Sequence, residues 1–387
     1  MRATSISTSV EIALRCVGIW PGLSYGTVSY FLYMISLVFA LYFQYVYIFD
    51  HFDASNISNL IDALSITLAY SFGFFKLISL WSNRRLFHYI KISIEEDWNN
   101  VDDHDKSVSY VMVSNADLSR RCSNTLISIH AAATICYSVA NLIQLEFKDN
   151  FNVSSRALPV KMEFPFEIDS SPLFEFLVVG QMFHMASIAV LVATIDCLVI
   201  TLVLHVSGQI DILRQELLTL VTHSDKISQC DSIFASIRIL INRHQRIILF
   251  SSSIEELYSD IALMQFMSNT IVICCIGFTI IDSLAKEGVT AMLKSAIFYV
   301  AVTLEAFIFC FSGEYLSAKS KSIGDAVYQT LWYNLTPAQC RILLFVILRS
   351  QKRLTITAGN IMDLSLVGFT SMMKASASYM SVLHAMY

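Results

Sequence analysis

The chain has 387 residues, of which 55% are hydrophobic and 15% are charged, and its formal net charge at pH 7 is −5. Soluble domains carry about 25% charged residues, so this composition indicates an integral membrane protein. The acidic balance and the absence of a basic tract exclude a nucleic-acid-binding role. The nine cysteines follow no zinc-ligand spacing, and we expect neither a metal nor a cofactor.

Seven long apolar segments follow one another along the chain, and each is long enough to cross a bilayer as an α-helix. They span residues 27–49, 63–83, 122–145, 176–206, 257–281, 295–313 and 354–383. The sequence therefore predicts an all-α membrane protein with seven transmembrane helices. Because this number is odd, the two ends of the chain lie on opposite sides of the membrane.

Basic residues are distributed unevenly between those two sides. Nineteen Lys and Arg lie in the N-terminal segment and in the second, fourth and sixth loops, whereas five lie in the other loops. Basic loops favour the cytoplasm, so we predict a cytoplasmic N-terminus and an external C-terminus. The sequons at Asn56 and Asn152 fall on the predicted external side, where we expect both asparagines to be glycosylated.

Further helices are predicted on the cytoplasmic side. Two amphipathic stretches, 209–222 and 231–250, and an apolar helix predicted at 337–350 form a cytoplasmic helical anchor. Thr336, Pro337 and Gln339 have the order of a capping box with proline at the first helical position. One copy alone would expose much apolar surface there, which favours subunit association.

The apolar segments divide the chain into six parts. They are a cytoplasmic N-terminal segment (1–26), transmembrane helices one to four with their loops (27–206), a cytoplasmic helical extension (207–256), transmembrane helices five and six (257–316), a cytoplasmic loop with the anchor helix (317–353) and the last transmembrane helix (354–387).

Six ionisable residues lie inside the predicted spans, where such residues are functional candidates by default. We expect three of them, Lys76, Asp196 and Asp260, to lie near cytoplasmic helix ends and to reach water by snorkelling. Asp363 and Lys374 are separated by about 16 Å along one helix, so each needs a partner elsewhere. The full set is Lys76, Asp196, Asp260, Glu305, Asp363 and Lys374.

The predicted external halves of the second, third, fourth and sixth spans combine aromatic and methionine side chains with a few small polar ones. This mixture favours an apolar cavity for a small volatile molecule. The alternative is that each side chain only packs against its neighbours. The candidate ligand-binding residues are Thr67, Tyr70, Phe74, Cys136, Tyr137, Ala140, Gln181, Met182, His184, Met185, Phe298, Tyr299 and Val302.

The last predicted span ends in a narrow stripe of small and apolar side chains. Ala375, Tyr379, Val382 and Met386 are spaced by four, three and four residues, which places them on one face of a helix. Such a face serves either ordinary packing between helices or the closure of a pore, and the spacing does not decide between the two.

Several short blocks between residues 332 and 379 stand in a characteristic order. In this order they resemble the C-terminal signature of insect odorant receptors, and the rest of the chain agrees with that family in length and hydropathy. The blocks are WYNLTP at 332–337, LRSQK at 348–352, TAGN at 357–360, LSL at 364–366, FT at 369–370 and KASASY at 374–379.

This resemblance implies a tetrameric cation channel whose subunits meet through the cytoplasmic anchor and whose pore is lined by the last helix. It implies an odorant site in the external half of the bundle, a co-receptor subunit as partner, and the plasma membrane of a sensory neuron dendrite as location. Val382 and Met386 match the family's hydrophobic constriction, and apolar rings close pores by dewetting. Met386 replaces the more usual branched residue there. Residues 207–253 are too short for the co-receptor's expanded fourth loop, so a tuned subunit is favoured.

These observations favour a tuned odorant receptor subunit of a ligand-gated, non-selective cation channel. Two alternatives stay open at this point, a gustatory-type receptor channel of the same superfamily and a metabotropic seven-helix receptor. The sequence contains no metalloprotease, nucleophile-elbow or phosphate-loop motif, and we expect no enzymatic activity.

Overall fold

The computed structural model describes residues 4–52, 57–100, 106–150, 158–168, 170–220, 230–286 and 289–386. Asn56 and Asn152, the predicted glycosylation sites, lie outside these ranges. The described residues form ten α-helices, a short 3-10 helix at Trp332–Asn334 and one small hairpin. The α-helices are α1 (Thr8–Val17), α2 (Gly26–Asp50), α3 (Ile57–Ser82), α4 (Arg84–Asn99), α5 (Lys106–Asn150), α6 (Leu173–Thr219), α7 (Cys230–Lys286), α8 (Val289–Gln329), α9 (Pro337–Gln351) and α10 (Leu366–Met386).

Four helices extend far beyond the predicted spans. They are α5, α6, α7 and α8, with 45, 47, 57 and 41 residues. At 1.5 Å per residue α7 is about 85 Å long, whereas the hydrocarbon core of a bilayer is about 30 Å thick. The described parts of the predicted extension at 207–256 are therefore helical, and they continue α6 and α7 without a break.

Five helical stretches in the described part of the chain are long and apolar enough to cross a membrane. They are Gly26–Asp50, Leu60–Ser82, Leu173–Thr219, Ile233–Ser283 and Met292–Gln329. The predicted span at 122–145 is helical within α5, and the predicted span at 354–383 is helical from Leu366 onwards, in α10. Polar residues lower their mean hydropathy; α10 contains Lys374 and four serines.

Helix α6 forms the centre of the bundle. Every residue from 191 to 199 is buried, and α6 packs against α1, α3, α5, α7 and α8. A helix that is apolar on all sides must be covered on all sides. In a bilayer the alternative to contact with a neighbouring helix is contact with lipid, so buried side chains such as Leu198 stabilise the bundle through close packing.

The bundle has two different ends. Helices α1, α4 and α9 pack around the extended parts of α6, α7 and α8 at one of them, which we call the anchor end. The predicted capping box of α9 is confirmed there, because Gln339 N donates to Thr336 Oγ1 at 3.4 Å and Thr336 N donates to Gln339 Oε1 at 2.9 Å. Residues 158–168 lie at the opposite end, the loop end, where Glu163 N donates to Phe43 O at 3.2 Å.

The predicted last helix is wrong in its first part. Strands β1 (Thr357–Ala358) and β2 (Met362–Asp363) form an antiparallel hairpin, and α10 begins only at Leu366. Gly359 and Asn360 turn the chain with φ of +60° and +57°. Glycine has no Cβ to oppose this left-handed conformation, and asparagine tolerates it better than most residues. The hairpin docks on α7, since Gly359 N donates to Ser259 O at 3.0 Å.

Candidate ligand-binding site

A cavity of about 130 Å³ lies between α3, α5, α6, α7 and α8, in the half of the bundle nearest the loop end. Its walls are largely apolar and carry a few polar groups. This combination suits a small, mainly apolar ligand. The lining residues are Ile66, Ala69, Tyr70, Phe72, His130, Ala133, Thr134, Tyr137, Met185, Ile188, Ala189, Val192, Ser268, Asn269, Val272, Ile297, Phe298, Ala301, Val302 and Glu305.

Five of the predicted ligand-binding residues line this cavity. They are Tyr70, Tyr137, Met185, Phe298 and Val302, which come from four different helices. Their convergence agrees with the predicted position of a cavity in one half of the bundle.

The other predicted candidates lie outside the lining. Thr67 donates to Ala63 O within its own helix at 2.8 Å, and Cys136 is exposed on the outside of α5. The Gln181 amide serves the backbone instead, because Oε1 accepts from Val160 N at 3.1 Å and Nε2 donates to Val160 O at 3.2 Å. The complete group is Thr67, Phe74, Cys136, Ala140, Gln181, Met182, His184 and Tyr299.

Sequence reasoning missed the contribution of α7 and most of the polar lining. Ser268, Asn269, Val272 and His130 were not among the candidates, and Glu305 was a candidate only as an ionisable residue inside a span, not as a ligand-binding residue. The helical spacing of the sequence could have identified His130 and Glu305 as lining residues. His130 lies seven residues before Tyr137, and Glu305 lies seven residues after Phe298, so each pair shares a helix face.

A buried ion pair lies at the side of the cavity that faces the anchor end. Lys76 Nζ donates to Asp196 Oδ1 at 2.8 Å and lies 3.9 Å from Glu305 Oε2. Glu305 also accepts from Gln265 Nε2 at 3.0 Å. The prediction that Lys76 and Asp196 snorkel to water is therefore wrong, because each is about 1% exposed. Asp260 is exposed on α7.

The match to known proteins identifies the family. The 7tm odorant receptor family model matches residues 56–377. The chain belongs to the 7tm odorant receptor family. The receptor is therefore a multi-pass membrane protein and not an enzyme, as its sequence predicted, and membership favours the odorant over the gustatory interpretation.

Curated relatives of the receptor include fruit-fly odorant receptors. Odorant receptor 13a of Drosophila melanogaster is 25% identical over 273 residues, which cover 67% of this chain and 65% of that one. Odorant receptor 67c is 23% identical over 288 residues, 73% of this chain and 69% of the relative. The first alignment thus spans somewhat less than two thirds of the relative's length.

Two solved structures share the receptor's fold. The insect olfactory receptor OR5 from Machilis hrabei in complex with eugenol superposes with a TM-score of 0.82 at 14% identity, covering 98% of this chain and 97% of that chain. A second structure of OR5 from Machilis hrabei superposes with a TM-score of 0.79 at 15% identity, covering 97% of this chain and 96% of that chain. The predicted all-α membrane fold is confirmed.

Helix α10 of the receptor has one packed and one exposed face. Gly368, Met372 and Ser376 are buried against the bundle, and Ser376 Oγ donates to Thr270 O of α7 at 3.1 Å. The predicted stripe lies elsewhere around the helix. Its members Tyr379, Val382 and Met386 are exposed and Ala375 is partly buried.

Asp363 and Lys374 were predicted to lie on one helix, and this prediction is wrong. Asp363 belongs to β2 and accepts from Thr355 Oγ1 at 3.3 Å, so its partner lies within the hairpin segment. Lys374 is exposed on α10.

Proposed function

We propose that the receptor is a tuned subunit of an odorant-gated, non-selective cation channel. The observation that carries this proposal is a largely apolar cavity between five helices in a member of the odorant receptor family. The solved OR5 structure in complex with eugenol supports a small organic ligand. Tyr70, Tyr137 and Phe298 supply aromatic surface for such a molecule.

The exposed stripe on α10 lines the pore in this proposal. Val382 and Met386 form the gate, and Ala375 and Tyr379 pack between neighbouring pore helices. The exposure of this stripe in a single chain supports contact with other subunits. A ring of apolar side chains keeps a narrow pore dry at rest, and its widening admits water and cations.

Contacts on α7 give the cavity a direct connection to α10. Asn269 and Val272 line the cavity, while Thr270 O, one residue away from Asn269, accepts from Ser376 Oγ of α10. Val272 and Val302 also belong to one hydrophobic cluster with Met372. A ligand that fits the open arrangement of these residues better than the closed one shifts the equilibrium towards opening.

The proposed channel is a heterotetramer with the co-receptor in the plasma membrane of a sensory neuron dendrite. In this proposal the anchor end is cytoplasmic and the loop end is external. Asn56 and Asn152, which lie outside the described residues, are glycosylated. Leu344, Phe345 and Leu348 form an exposed apolar face on α9, which supports association through the anchor.

Replacing Val382 with alanine tests the gate. We expect V382A to raise the current in the absence of odorant several-fold, because a smaller side chain weakens the dewetted constriction. The measurement is whole-cell recording from cells that co-express the receptor and a co-receptor, before and after a panel of volatiles.

Val300→Ala is the matched control, because Val300 on α8 has a similar exposure of 60% against 56% for Val382. We expect V300A to behave as wild type. Equal effects of the two variants would contradict the gate, and a wild-type complex without any volatile-evoked current would contradict the channel function itself.

A further inference from the structure

The side of the cavity that faces the anchor end has more negatively than positively charged groups. Lys76 Nζ lies 2.8 Å from Asp196 Oδ1 but 3.9 Å from Glu305 Oε2. The single ammonium is therefore engaged mainly by Asp196. Glu305 lines the cavity, so the carboxylate with the weaker cationic partner is the one that a ligand would meet.

Three buried polar atoms beside Glu305 have no hydrogen-bond partner among the described residues. They are His130 Nε2, Asp196 Oδ2 and Gln265 Oε1. His130 is only 5% exposed and lines the cavity. One polar atom each of His130, Asp196 and Glu305 lie within 4.8 Å of one another. Buried polar atoms are normally paired, so this grouping has room for one further polar group.

A metal ion fits this place poorly. The Lys76 ammonium already donates to Asp196, and a divalent cation bound there would lie against a positive charge in a medium of low dielectric constant. A singly charged group at Glu305 and His130 instead balances the charge from the cavity side and leaves the Lys76–Asp196 pair intact.

The charge at the other end of the cavity favours the same orientation. Lys294 Nζ lies 4.5 Å from the centre of the Tyr137 ring, and the Lys294 and Lys161 ammonium groups share one carboxylate, that of Asp62, at 3.9 and 3.5 Å. These three groups carry one net positive charge. A cationic ligand group is thus repelled from the loop-end side and attracted towards Glu305. Its apolar body then lies along Tyr70, Phe298 and Val302.

We infer that the cavity prefers small amines, bound as ammonium ions that donate to the Glu305 carboxylate and to His130 Nε2. This inference rests on the proposed function and names the ligand class of that same cavity. A neutral alcohol of the same shape can make hydrogen bonds here, but it leaves the excess negative charge uncompensated. Both ligands can donate to the ionised Glu305 carboxylate, but only the ammonium ion adds an attraction between opposite charges, which is strong in a medium of low dielectric constant.

Three ligands with the same arrangement of non-hydrogen atoms test this preference: benzylamine, benzyl alcohol and ethylbenzene. With the receptor and a co-receptor co-expressed, we expect benzylamine to reach half-maximal current at about a tenfold lower concentration than benzyl alcohol, with ethylbenzene weaker still. Glu305→Gln should raise the half-maximal concentration of benzylamine about tenfold and leave that of ethylbenzene within about twofold. The ethylbenzene response shows that the variant is folded.

Glu256→Gln is the matched control. Glu256 is exposed on α7 outside the cavity lining, and the chemical change is the same. We expect wild-type benzylamine potency. Equal potency of the three ligands, or equal shifts in the two variants, would overturn the inference.

Thermal unfolding of the purified receptor separates this inference from the channel proposal. If benzylamine raises the unfolding temperature of the wild type but not of E305Q while no current flows, the amine site stands and the channel proposal fails. If ethylbenzene evokes current but benzylamine has no advantage in either measurement, the channel proposal stands and the amine site fails.

Discussion

At the scale of single residues, the Lys76–Asp196 pair shows what a linear sequence conveys about charge inside a membrane. Their presence in apolar spans marked both residues as candidates, and this part of the prediction was useful. The predicted contact of these side chains with water was wrong, because the rotation of α3 and α6 decides whether the side chains face lipid, water or each other. The spacing within one helix contains no information about its rotation against another.

Lys76→Met should be strongly destabilising. The substitution removes the only cation within 4 Å of Asp196 among the described residues and leaves a buried carboxylate unpaired. Breaking a buried pair in this way costs about 3–5 kcal/mol. Thermal unfolding of the purified receptor, followed by its loss of monodispersity, measures the effect.

Lys91→Met provides the comparison, because Lys91 pairs with Glu95 at 3.3 Å on the partly exposed surface of α4. Such pairs contribute about 0–1 kcal/mol. If the two variants unfold at the same temperature, the buried pair has no special importance for stability.

The cavity residues illustrate the same limit at the residue scale. Tyr70 and Phe298 were predicted correctly because their chemistry and their half of the helix both fit a ligand site. Thr67 and Cys136 satisfied the same criteria but lie on other helix faces. Residue chemistry predicted which half of the bundle contains the cavity, whereas tertiary packing determines which helix faces line it.

At the scale of elements, the sequence predicted where helices exist better than where they end. The amphipathic stretch at 231–250 and the apolar span at 257–281 were separate predictions, yet both belong to α7. Nothing between them breaks a helix. At 354–365 the opposite error occurred, since apolar content outweighed the turn signal of Gly359 and Asn360.

Gly359→Ala should loosen the hairpin from α7. The left-handed backbone disfavours alanine by about 1–2 kcal/mol, and an added Cβ would lie 2.6 Å from Leu263 Cδ2. We expect the unfolding temperature to fall, together with faster proteolysis between α9 and α10.

Gly22→Ala separates strain from crowding. Gly22 also has a positive φ, +88°, but an added Cβ would meet nothing within 4 Å. If the unfolding temperature falls further in G359A than in G22A, the difference measures the effect of the contact with Leu263. Equal decreases in the two variants would contradict the docking of the hairpin on α7.

At the scale of the whole molecule, the anchor end carries apolar surface that a single chain does not cover. Phe345 is 71% exposed on α9 between the exposed Leu344 and Leu348. The sequence predicted both this helix and its cap correctly, because local capping residues specify a helix start. In the proposed channel other subunits cover this surface, and the sequence of one chain does not specify them.

Phe345→Glu should prevent assembly with the co-receptor, since a carboxylate in an apolar interface must be desolvated. Co-purification of differently tagged subunits from detergent measures the loss, for which we expect at least about a tenfold reduction. Phe52→Glu is the control, because Phe52 is 77% exposed at the end of α2. Normal assembly of F345E would exclude this face from the interface.

The unbroken course of α7 also has a mechanical consequence. A stiff rod about 85 Å long that pivots near its middle amplifies small angles, so a tilt of about 2° displaces each tip by about 1.5 Å in opposite directions. A rigid-body tilt of α7 would therefore displace its residues at the cavity and its residues at the anchor end together.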